Sequence, residues 1–252
     1  MILQFFNMLA ECFDLPILDW IQAHLQCGFL DAVMPVITLF GEHGLFWIIC
    51  AVILILTKKY RKTGLSMGVA LLMGLIVCNL TLKPLIMRIR PYDYQLQNFG
   101  VTINLLIDGL HDFSFPSGHT IASFEACTVL MLNDKRLGIS ATILAVLVAF
   151  SRLYLYVHYP TDVLAAVVLG IAFGFLGNCL VGKCFDLYHT RKARKKTGSI
   201  TNGLLQNDPC SRPFYIYLCS VRWEISAAYS FIRNGRSGIR QSQTFSKNTH
   251  QN

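Results

Sequence analysis

Three clusters of charged and polar residues stand at the ends of apolar segments. They read Lys83-Pro-Leu-Ile-Met-Arg-Ile-Arg90-Pro91, Phe115-Pro116-Ser117-Gly118-His119 and Ser151-Arg152-Leu-Tyr-Leu-Tyr-Val-His158-Tyr-Pro-Thr-Asp162. A charged side chain beside a membrane span is costly and usually functional. Together the clusters hold cations, a helix start, two histidines and a carboxylate, which are the groups needed to bind and transfer a phosphoryl group.

The first cluster offers two cations to an anion. Lys83 and Arg90 are seven residues apart, so both can lie on one face of a helix that leaves the preceding span. An ammonium and a forked guanidinium together can clamp phosphate oxygens. Taken alone, the pair is better explained as basic side chains that anchor a helix end at the membrane surface.

The second cluster is typical of a helix start that binds an anion. Pro116 suits the first turn of a helix, and free N–H groups at a helix N-terminus attract negative charge. Gly118 lets the backbone approach the anion closely, the Ser117 hydroxyl can donate to an oxygen, and His119 can exchange a proton near neutral pH. The alternative is a helix start with an incidental histidine.

The third cluster carries the strongest signal. Arg152 is placed at the end of one span, His158 in the following turn and Asp162 in the first turn of the next span. If that turn is helical, His158 and Asp162 face each other, and a carboxylate bound to one imidazole nitrogen leaves the other free to attack. Asp162 as a mere helix cap does not explain the histidine and arginine beside it.

Taken jointly, the clusters predict phosphoryl transfer through a phosphohistidine without a metal or other cofactor. One imidazole attacks phosphorus, the other protonates the leaving oxygen, and the cations neutralise the equatorial charge. Nine cysteines are present, but no Cys-x-x-Cys pair and no cysteine–histidine cluster has the spacing of zinc ligands.

The composition is that of an integral membrane protein. Of 252 residues, 54% are hydrophobic and 14% charged, well below the ~25% charged residues of soluble domains, and the mean hydropathy is +0.48. We therefore predict an all-α, polytopic bundle of about six transmembrane helices. The predicted spans cover residues 28–41, 44–57, 64–82, 116–133, 137–156 and 160–181.

The basic loops predict how this bundle is oriented. Lys58–Lys62, Lys135–Arg136 and the run from Lys183 to Lys196 fall on one side, which the positive-inside rule assigns to the cytoplasm. The three clusters then share the extracytoplasmic face of a multi-pass cell-membrane protein. A count of six spans places both chain ends in the cytoplasm.

The chain divides into three predicted regions. Residues 1–27 form an amphipathic segment that lies along the membrane surface or docks as a cap, and residues 28–182 form the membrane domain. Residues 183–252 form a basic cytoplasmic tail, with an amphipathic stretch at Phe214–Ile232 and a disordered end at Gly235–Asn252.

The net charge of +8 is a property of this tail. Residues 187–252 hold 11 Lys and Arg against 2 Asp and Glu, whereas residues 1–186 hold 11 against 12. Anionic lipid headgroups attract such basic segments. We therefore expect the bilayer and a lipid phosphate as partners, and no nucleic acid.

In order and spacing, the clusters resemble the three signature motifs of the type 2 phosphatidic acid phosphatase superfamily, which includes vanadium haloperoxidases and bacterial undecaprenyl pyrophosphate phosphatases. The resemblance covers roughly residues 28–182. It implies a six-helix fold and metal-independent hydrolysis. By position it implies His158 as nucleophile, His119 as general acid and Asp162 as partner of His158. It implies phosphate binding by Lys83, Arg90, Ser117, Gly118 and Arg152.

Three functions follow from this resemblance. The first is hydrolysis of undecaprenyl pyrophosphate, phosphatidylglycerol phosphate or phosphatidic acid, with the prenyl substrate preferred. The second is a haloperoxidase holding vanadate, against which the apolar spans argue because those relatives are soluble. The third is a transporter or scaffold that binds a phosphate lipid without turnover, which would be expected to lose His158 or His119.

Overall fold

The computed structural model describes residues 2–110 and 112–206, with side chains described for residues 4–110 and 112–192. Within these ranges the chain is all-helical and contains no strand. The stretches Phe214–Ile232 and Gly235–Asn252 lie outside the described residues. The α-helices are α1 (Ile2–Leu9), α2 (Leu15–Leu25), α3 (Gly28–Leu39), α4 (Leu45–Leu56), α5 (Arg61–Gly74), α6 (Lys83–Ile86), α7 (Pro91–Phe99), α8 (Gly118–Asn133), α9 (Lys135–Tyr154) and α10 (Pro160–Gln206).

Several helical stretches have the length and composition of membrane spans. Large apolar side chains point outward from them, with Phe29, Leu56 and Leu85 each more than 70% exposed. Such outward surfaces fit a hydrocarbon environment. Four stretches of the described residues qualify as candidate spans, namely Gly28–Leu56, Arg61–Phe99, Lys135–Tyr154 and Pro160–Lys192.

Residues 28–56 cross the bundle once, which corrects the prediction of separate spans over 28–41 and 44–57. Helices α3 and α4 have 12 residues each, or about 18 Å, too short for a ~30 Å hydrocarbon core. At one end Asp31 accepts a hydrogen bond from Tyr154 at the end of α9, at 2.5 Å. At the other end, Tyr60 donates to Asp134, where α8 meets α9, at 2.9 Å.

The break between α3 and α4 is a tight turn inside this single crossing. A short 3-10 helix, Glu42–Gly44, contains two residues with positive φ, His43 at 49° and Gly44 at 66°. The turn packs against α8, because a Cβ added to Gly41 would lie 2.9 Å from the His119 Cβ. The chain thus bends around the start of α8 and then continues in the same overall direction.

The N-terminal segment lies at the end of the bundle where α9 meets α10. Tyr156, in the turn after α9, donates to Asp19 of α2 at 2.6 Å, and Leu15 and Leu18 are buried. Because α3 and α4 make one crossing, the two ends of the membrane domain face opposite ends of the bundle.

Helix α10 packs closely on α8 through glycines. A Cβ on Gly170 would lie 2.8 Å from the Phe124 Cβ, and one on Gly174 would lie 2.7 Å from the Thr128 Cβ. Small residues at such a spacing let two helix backbones approach. This contact fixes the first turn of α10 relative to the first turn of α8, where two of the three clusters end.

The same helix continues past the predicted boundary between residues 182 and 183. Helix α10 has 47 residues and ends at Gln206, so the first part of the predicted tail is helical. No helix end separates the sixth predicted span from the basic residues that follow it.

Candidate active site

The three sequence clusters meet at the end of the bundle where α9 turns into α10. A cavity of about 700 Å³ opens there and continues between α4, α5 and α8. Ser117 and Asp162 are fully buried beside it. Six of the sequence-predicted site residues line it, namely Lys83, Arg90, Gly118, His119, Arg152 and His158.

Lys83 and Arg90 converge without sharing a helix face, which corrects the prediction made from their spacing. Helix α6 ends at Ile86, and Met87 adopts a left-handed conformation with φ 51°. The chain is irregular from there to Arg90, where α7 follows at Pro91. The reversal at Met87 brings the Arg90 guanidinium back toward the Lys83 ammonium.

Asp112 joins the two cations, and sequence reasoning missed it. Its carboxylate accepts hydrogen bonds from Lys83 and from Arg90, whose Nε also donates to the Asp112 carbonyl at 2.8 Å. Burial opposes ionisation of the Asp112 carboxyl, but the hydrogen bonds and charges of Lys83 and Arg90 outweigh it and hold its pKa well below the usual range. Asp112 is therefore a permanent anion that a phosphate must compete with for these donors.

Ser117 and Gly118 form the entrance to α8. Ser117 occupies the position before the helix and makes no side-chain cap, so the first N–H groups of α8 are not satisfied by its hydroxyl. Thr120 donates to the Ser117 Oγ at 3.0 Å, which leaves the Ser117 proton free for another acceptor. The helix start is thus arranged to donate to an anion in the cavity.

His119 follows in the first turn of α8, half-buried against the turn between α3 and α4. Its backbone carbonyl accepts from Ser123 at 2.8 Å within the helix. The imidazole lines the cavity together with His158.

Arg152 presents unused donors to the cavity. Its Nη1 donates to the Thr38 Oγ1 at 2.6 Å, while Nε and Nη2 have no partner among the described residues although both are buried. Buried guanidinium donors without acceptors are expensive. A phosphate in the cavity would provide the missing acceptors in the two-pronged geometry that arginine favours.

His158 is held by Ser114 and Asp162 on one side of its ring. The Asp162 Oδ2 lies 3.6 Å from the His158 Nδ1, and the Ser114 Oγ lies 3.4 Å from the same nitrogen. Because Ser114 donates its proton to Asp162 at 2.5 Å, its lone pairs are left to accept from a protonated Nδ1. The turn itself is not helical, and it contains Tyr156 at φ 58°.

The opposite ring nitrogen of His158 faces the cations. The Nε2 lies 3.4 Å from the Arg90 Nη1, and that guanidinium nitrogen donates to the Val157 carbonyl at 2.7 Å. Complete burial lowers the pKa of the imidazole well below its ordinary value, and nearby positive charges, led by Arg90, lower it further. These effects favour a neutral ring, and with Nδ1 protonated toward Ser114 and Asp162 its Nε2 would be unprotonated and directed at the place where an anion would bind.

Arg88 and Asp14 complete the charge network behind Asp162, and neither was among the predicted site residues. The Arg88 Nη1 donates to Asp162 at 2.5 Å and its Nη2 donates to Asp14 at 2.7 Å. All three side chains are at most 3% exposed. The Arg88 guanidinium also stacks on the Tyr159 ring at 3.7 Å. The N-terminal segment thus contributes a buried charge three contacts away from His158.

The contact of Ser114 with both His158 and Asp162 leads to a testable prediction. In Ser114→Ala, His158 loses the oxygen that accepts from Nδ1, and Asp162 loses a donor. We expect kcat for phosphate release to fall roughly 10-fold with KM nearly unchanged, because ring orientation is affected and the cations are not. Steady-state kinetics of the purified variant measures both constants. A rise in KM at constant kcat would contradict the role of Ser114 as a positioning residue.

The chain is similar to a protein family and to characterised proteins in the region that contains these motifs. Residues 63–186 match the PAP2 superfamily. The chain is 32% identical to an undecaprenyl-diphosphatase of Sulfolobus acidocaldarius over 60% of its own length and 70% of that protein. It is 30% identical to the undecaprenyl-diphosphatase BcrC of Bacillus subtilis over 58% of its length and 72% of that protein.

A solved structure has a similar helical arrangement. The chain is similar to the transmembrane PAP2-type phosphatidylglycerolphosphate phosphatase from Bacillus subtilis, with a TM-score of 0.52 and 27% identity. That match covers 72% of this chain and 94% of the solved one.

Proposed function

The chain belongs to the PAP2 superfamily, and from that premise we propose that it hydrolyses a phosphomonoester or pyrophosphate of a lipid through a phosphohistidine on His158. The observation that carries the proposal is the orientation of His158. Its Nδ1 faces Ser114 and Asp162, and its Nε2 faces the Arg90 guanidinium. A fixed, neutral imidazole with its free nitrogen beside cations is the arrangement of a nucleophile for phosphorus.

In the first step, the His158 Nε2 attacks phosphorus and the bond from phosphorus to the lipid oxygen breaks. His119, which is protonated when the negatively charged phosphate is bound beside it, gives its proton to that leaving oxygen and becomes neutral. The positive charge that develops on the His158 ring is balanced by Asp162, through the Nδ1 proton and Ser114. The donors of Lys83, Ser117, Gly118, Arg90 and Arg152 neutralise the three equatorial oxygens.

In the second step, His119 takes a proton from a water molecule, whose oxygen attacks phosphorus as the bond to Nε2 breaks. Inorganic phosphate leaves, and His158 returns to its neutral form with Nδ1 protonated. Each histidine ends the cycle in the state in which it began, so the reaction consumes only lipid phosphate and water.

The proposed orientation places this site on the extracytoplasmic face. The bundle end that holds Tyr60 and Asp134 lies next to the basic loops around Lys58–Lys62 and Lys135–Arg136, which the positive-inside rule assigns to the cytoplasm. With α8 counted as a fifth crossing beside the four candidate spans, the N-terminal segment lies outside with the site, and Lys183, where the predicted tail begins, lies inside. A cysteine at Asp108 should be labelled in intact cells by a membrane-impermeant reagent, and labelling only after permeabilisation would reverse this orientation.

The experiment for the function is phosphate release by the purified protein in detergent with EDTA present. The substrate panel contains a prenyl pyrophosphate, phosphatidylglycerol phosphate and phosphatidic acid. We expect release from at least one lipid phosphate, undiminished by EDTA. Binding of a lipid phosphate without release would instead favour a scaffold, and loss of release with EDTA would overturn the metal-independent mechanism.

The pH dependence of kcat/KM tests the state of His158. The neutral imidazole is the nucleophile, and its pKa in the free enzyme lies well below 6.5. Lowering the pH through the ordinary histidine range should therefore leave this group active, with the acid limb of the profile below pH 6.5. In Arg90→Gln the pKa should rise because the leading positive charge is removed, and the acid limb should move to higher pH. A limb that does not move would contradict this electrostatic account.

A further inference from the structure

The cavity does not end at the phosphate-binding residues. It continues from His119 and Arg152 along α8, between α4 and α5, as far as Ile55 and Gly68. Its walls in this part are apolar, which suits a lipid tail. One ionisable side chain stands in this apolar part, Glu125 of α8.

Glu125 is buried without a full set of partners. The residue is 1% exposed, and its Oε1 completes no hydrogen bond of standard geometry among the described residues, although the Gly74 backbone N–H lies beside the carboxyl. The carboxyl lies in a notch of α5 opened by Gly74, where an added Cβ would lie 2.1 Å from Oε1. The π-helical segment Leu75–Leu82 begins directly after this notch. A lone carboxyl at membrane depth is costly and usually functional.

Buried polar atoms without hydrogen-bond partners also occur at the phosphate end of the cavity. Among the described residues, buried side-chain atoms without partners belong to Ser66, Glu125 and Arg152. Arg152 and Glu125 line the cavity, and Ser66 does not. The free nitrogens of Arg152 fit phosphate oxygens. By the same argument, the free oxygen of Glu125 fits a polar group further along the same bound molecule.

The position of Glu125 along α8 determines how far from the phosphate site this polar group of the bound molecule must lie. Gly118 and Glu125 are seven residues apart, two helical turns or about 10 Å, and lie on one face. Side chains in a helix lean toward its N-terminus, so the Glu125 carboxyl reaches back toward the phosphate site. In a diacylglycerol phosphate the ester carbonyls lie a few bonds from phosphorus, at this depth. In a prenyl pyrophosphate the second phosphate lies closer to the attacked phosphorus, and only hydrocarbon reaches this depth.

Resting on the proposed lipid phosphatase function, we propose that Glu125 determines specificity by donating a hydrogen bond to an ester carbonyl of the substrate, which selects lipid phosphates with a carbonyl near the phosphate over prenyl pyrophosphates. An ionised carboxylate without a counter-charge is unfavourable in so apolar a groove, so the neutral acid is the form that donates. A prenyl chain would leave this acid facing only C–H groups.

The test compares substrates within each variant. In Glu125→Leu, the ratio of kcat/KM for phosphatidic acid to that for a prenyl pyrophosphate should fall roughly 10-fold to 100-fold, the range expected for a lost buried hydrogen bond. Glu125→Gln keeps an N–H donor and should keep most of the ratio. Ser66→Ala removes the unpartnered hydroxyl outside the cavity and should leave the ratio within about 2-fold.

A second comparison needs no variant. The wild-type enzyme should prefer diacylglycerol phosphate to its dialkyl ether analogue, which has the same phosphate and chains without carbonyls, and Glu125→Leu should lose that preference. Equal loss for both substrates, or an unchanged ratio in Glu125→Leu, would overturn the proposal. If Glu125→Leu does not fold, equal rates of wild-type enzyme on the ester and ether lipids would overturn it. Absence of release from every lipid phosphate would refute the proposed function instead.

Discussion

Replacing His158 with alanine is expected to lower kcat for lipid phosphate hydrolysis by at least ~10⁴-fold, because the reaction loses its nucleophile and no other described side chain occupies the same position. The cations that bind phosphate are untouched. Binding of inorganic phosphate or vanadate should therefore persist in His158→Ala. The measurement is single-turnover phosphate release together with a binding isotherm for the anion.

The control is His24→Ala. His24 is exposed, lies on α2 and stacks on Trp20 with ring centroids 5.0 Å apart, outside the cavity. Its replacement should change kcat by less than about 2-fold. Near wild-type turnover in His158→Ala, with the same protein preparation and substrate, would contradict the assignment of the nucleophile.

The second large effect is on stability. Arg88→Ala removes the only cation in direct hydrogen-bonding contact with Asp14 and Asp162 among the described residues, and both carboxylates are fully buried. Breaking a buried ion pair by removing one partner typically costs about 3–5 kcal/mol. We expect the free energy of unfolding in detergent to fall by this amount and the activity to fall with it, since Asp162 contacts His158.

A double variant separates charge from packing. In Asp14→Ala with Arg88→Ala, one of the two stranded carboxylates is gone, so part of the lost stability should return. Arg61→Ala is the surface control, because Arg61 is exposed and donates to the Ile55 carbonyl at 3.2 Å. It should change stability by no more than ~0.5 kcal/mol. A double variant less stable than Arg88→Ala would contradict the account of the buried network.

The residues of the three clusters could be selected from the sequence, but the path of the chain that brings them together could not. Residue type and position at the ends of apolar segments were enough to select Lys83, His119 and His158, which the structure places around one cavity. The spacing of Lys83 and Arg90 suggested a shared helix face, and the left-handed Met87 breaks that helix. Backbone reversal at a non-glycine residue leaves little trace in sequence.

The network behind the nucleophile depends on contacts that no local pattern encodes. Arg88 meets Asp14 and Asp162, each 74 positions away along the chain, and Ser114 meets Asp162 across 48 positions. Arg88 stood two residues before Arg90, inside the first cluster, and its burial between two carboxylates could not be inferred from that spacing. Only the packing of the N-terminal segment onto the bundle brings Asp14 there.

The difference between the two spans predicted over residues 28–57 and the single candidate span there has a simple physical origin. Gly41 and Gly44 interrupt an apolar run and resemble a loop between two membrane helices. The two halves have 12 residues each, which is about half the length that a bilayer requires. Helix length, weighed against the turn signal, would have favoured one bent crossing.

The stereochemistry at phosphorus tests the central claim, that the phosphoryl group passes through His158, most directly. A lipid thiophosphate made chiral with oxygen isotopes is hydrolysed in water labelled with the third isotope, and the configuration of the released thiophosphate is determined. Two in-line displacements, first by the His158 Nε2 and then by water, predict net retention. Net inversion would mean that water attacks the lipid phosphate directly, and it would contradict the phosphohistidine mechanism.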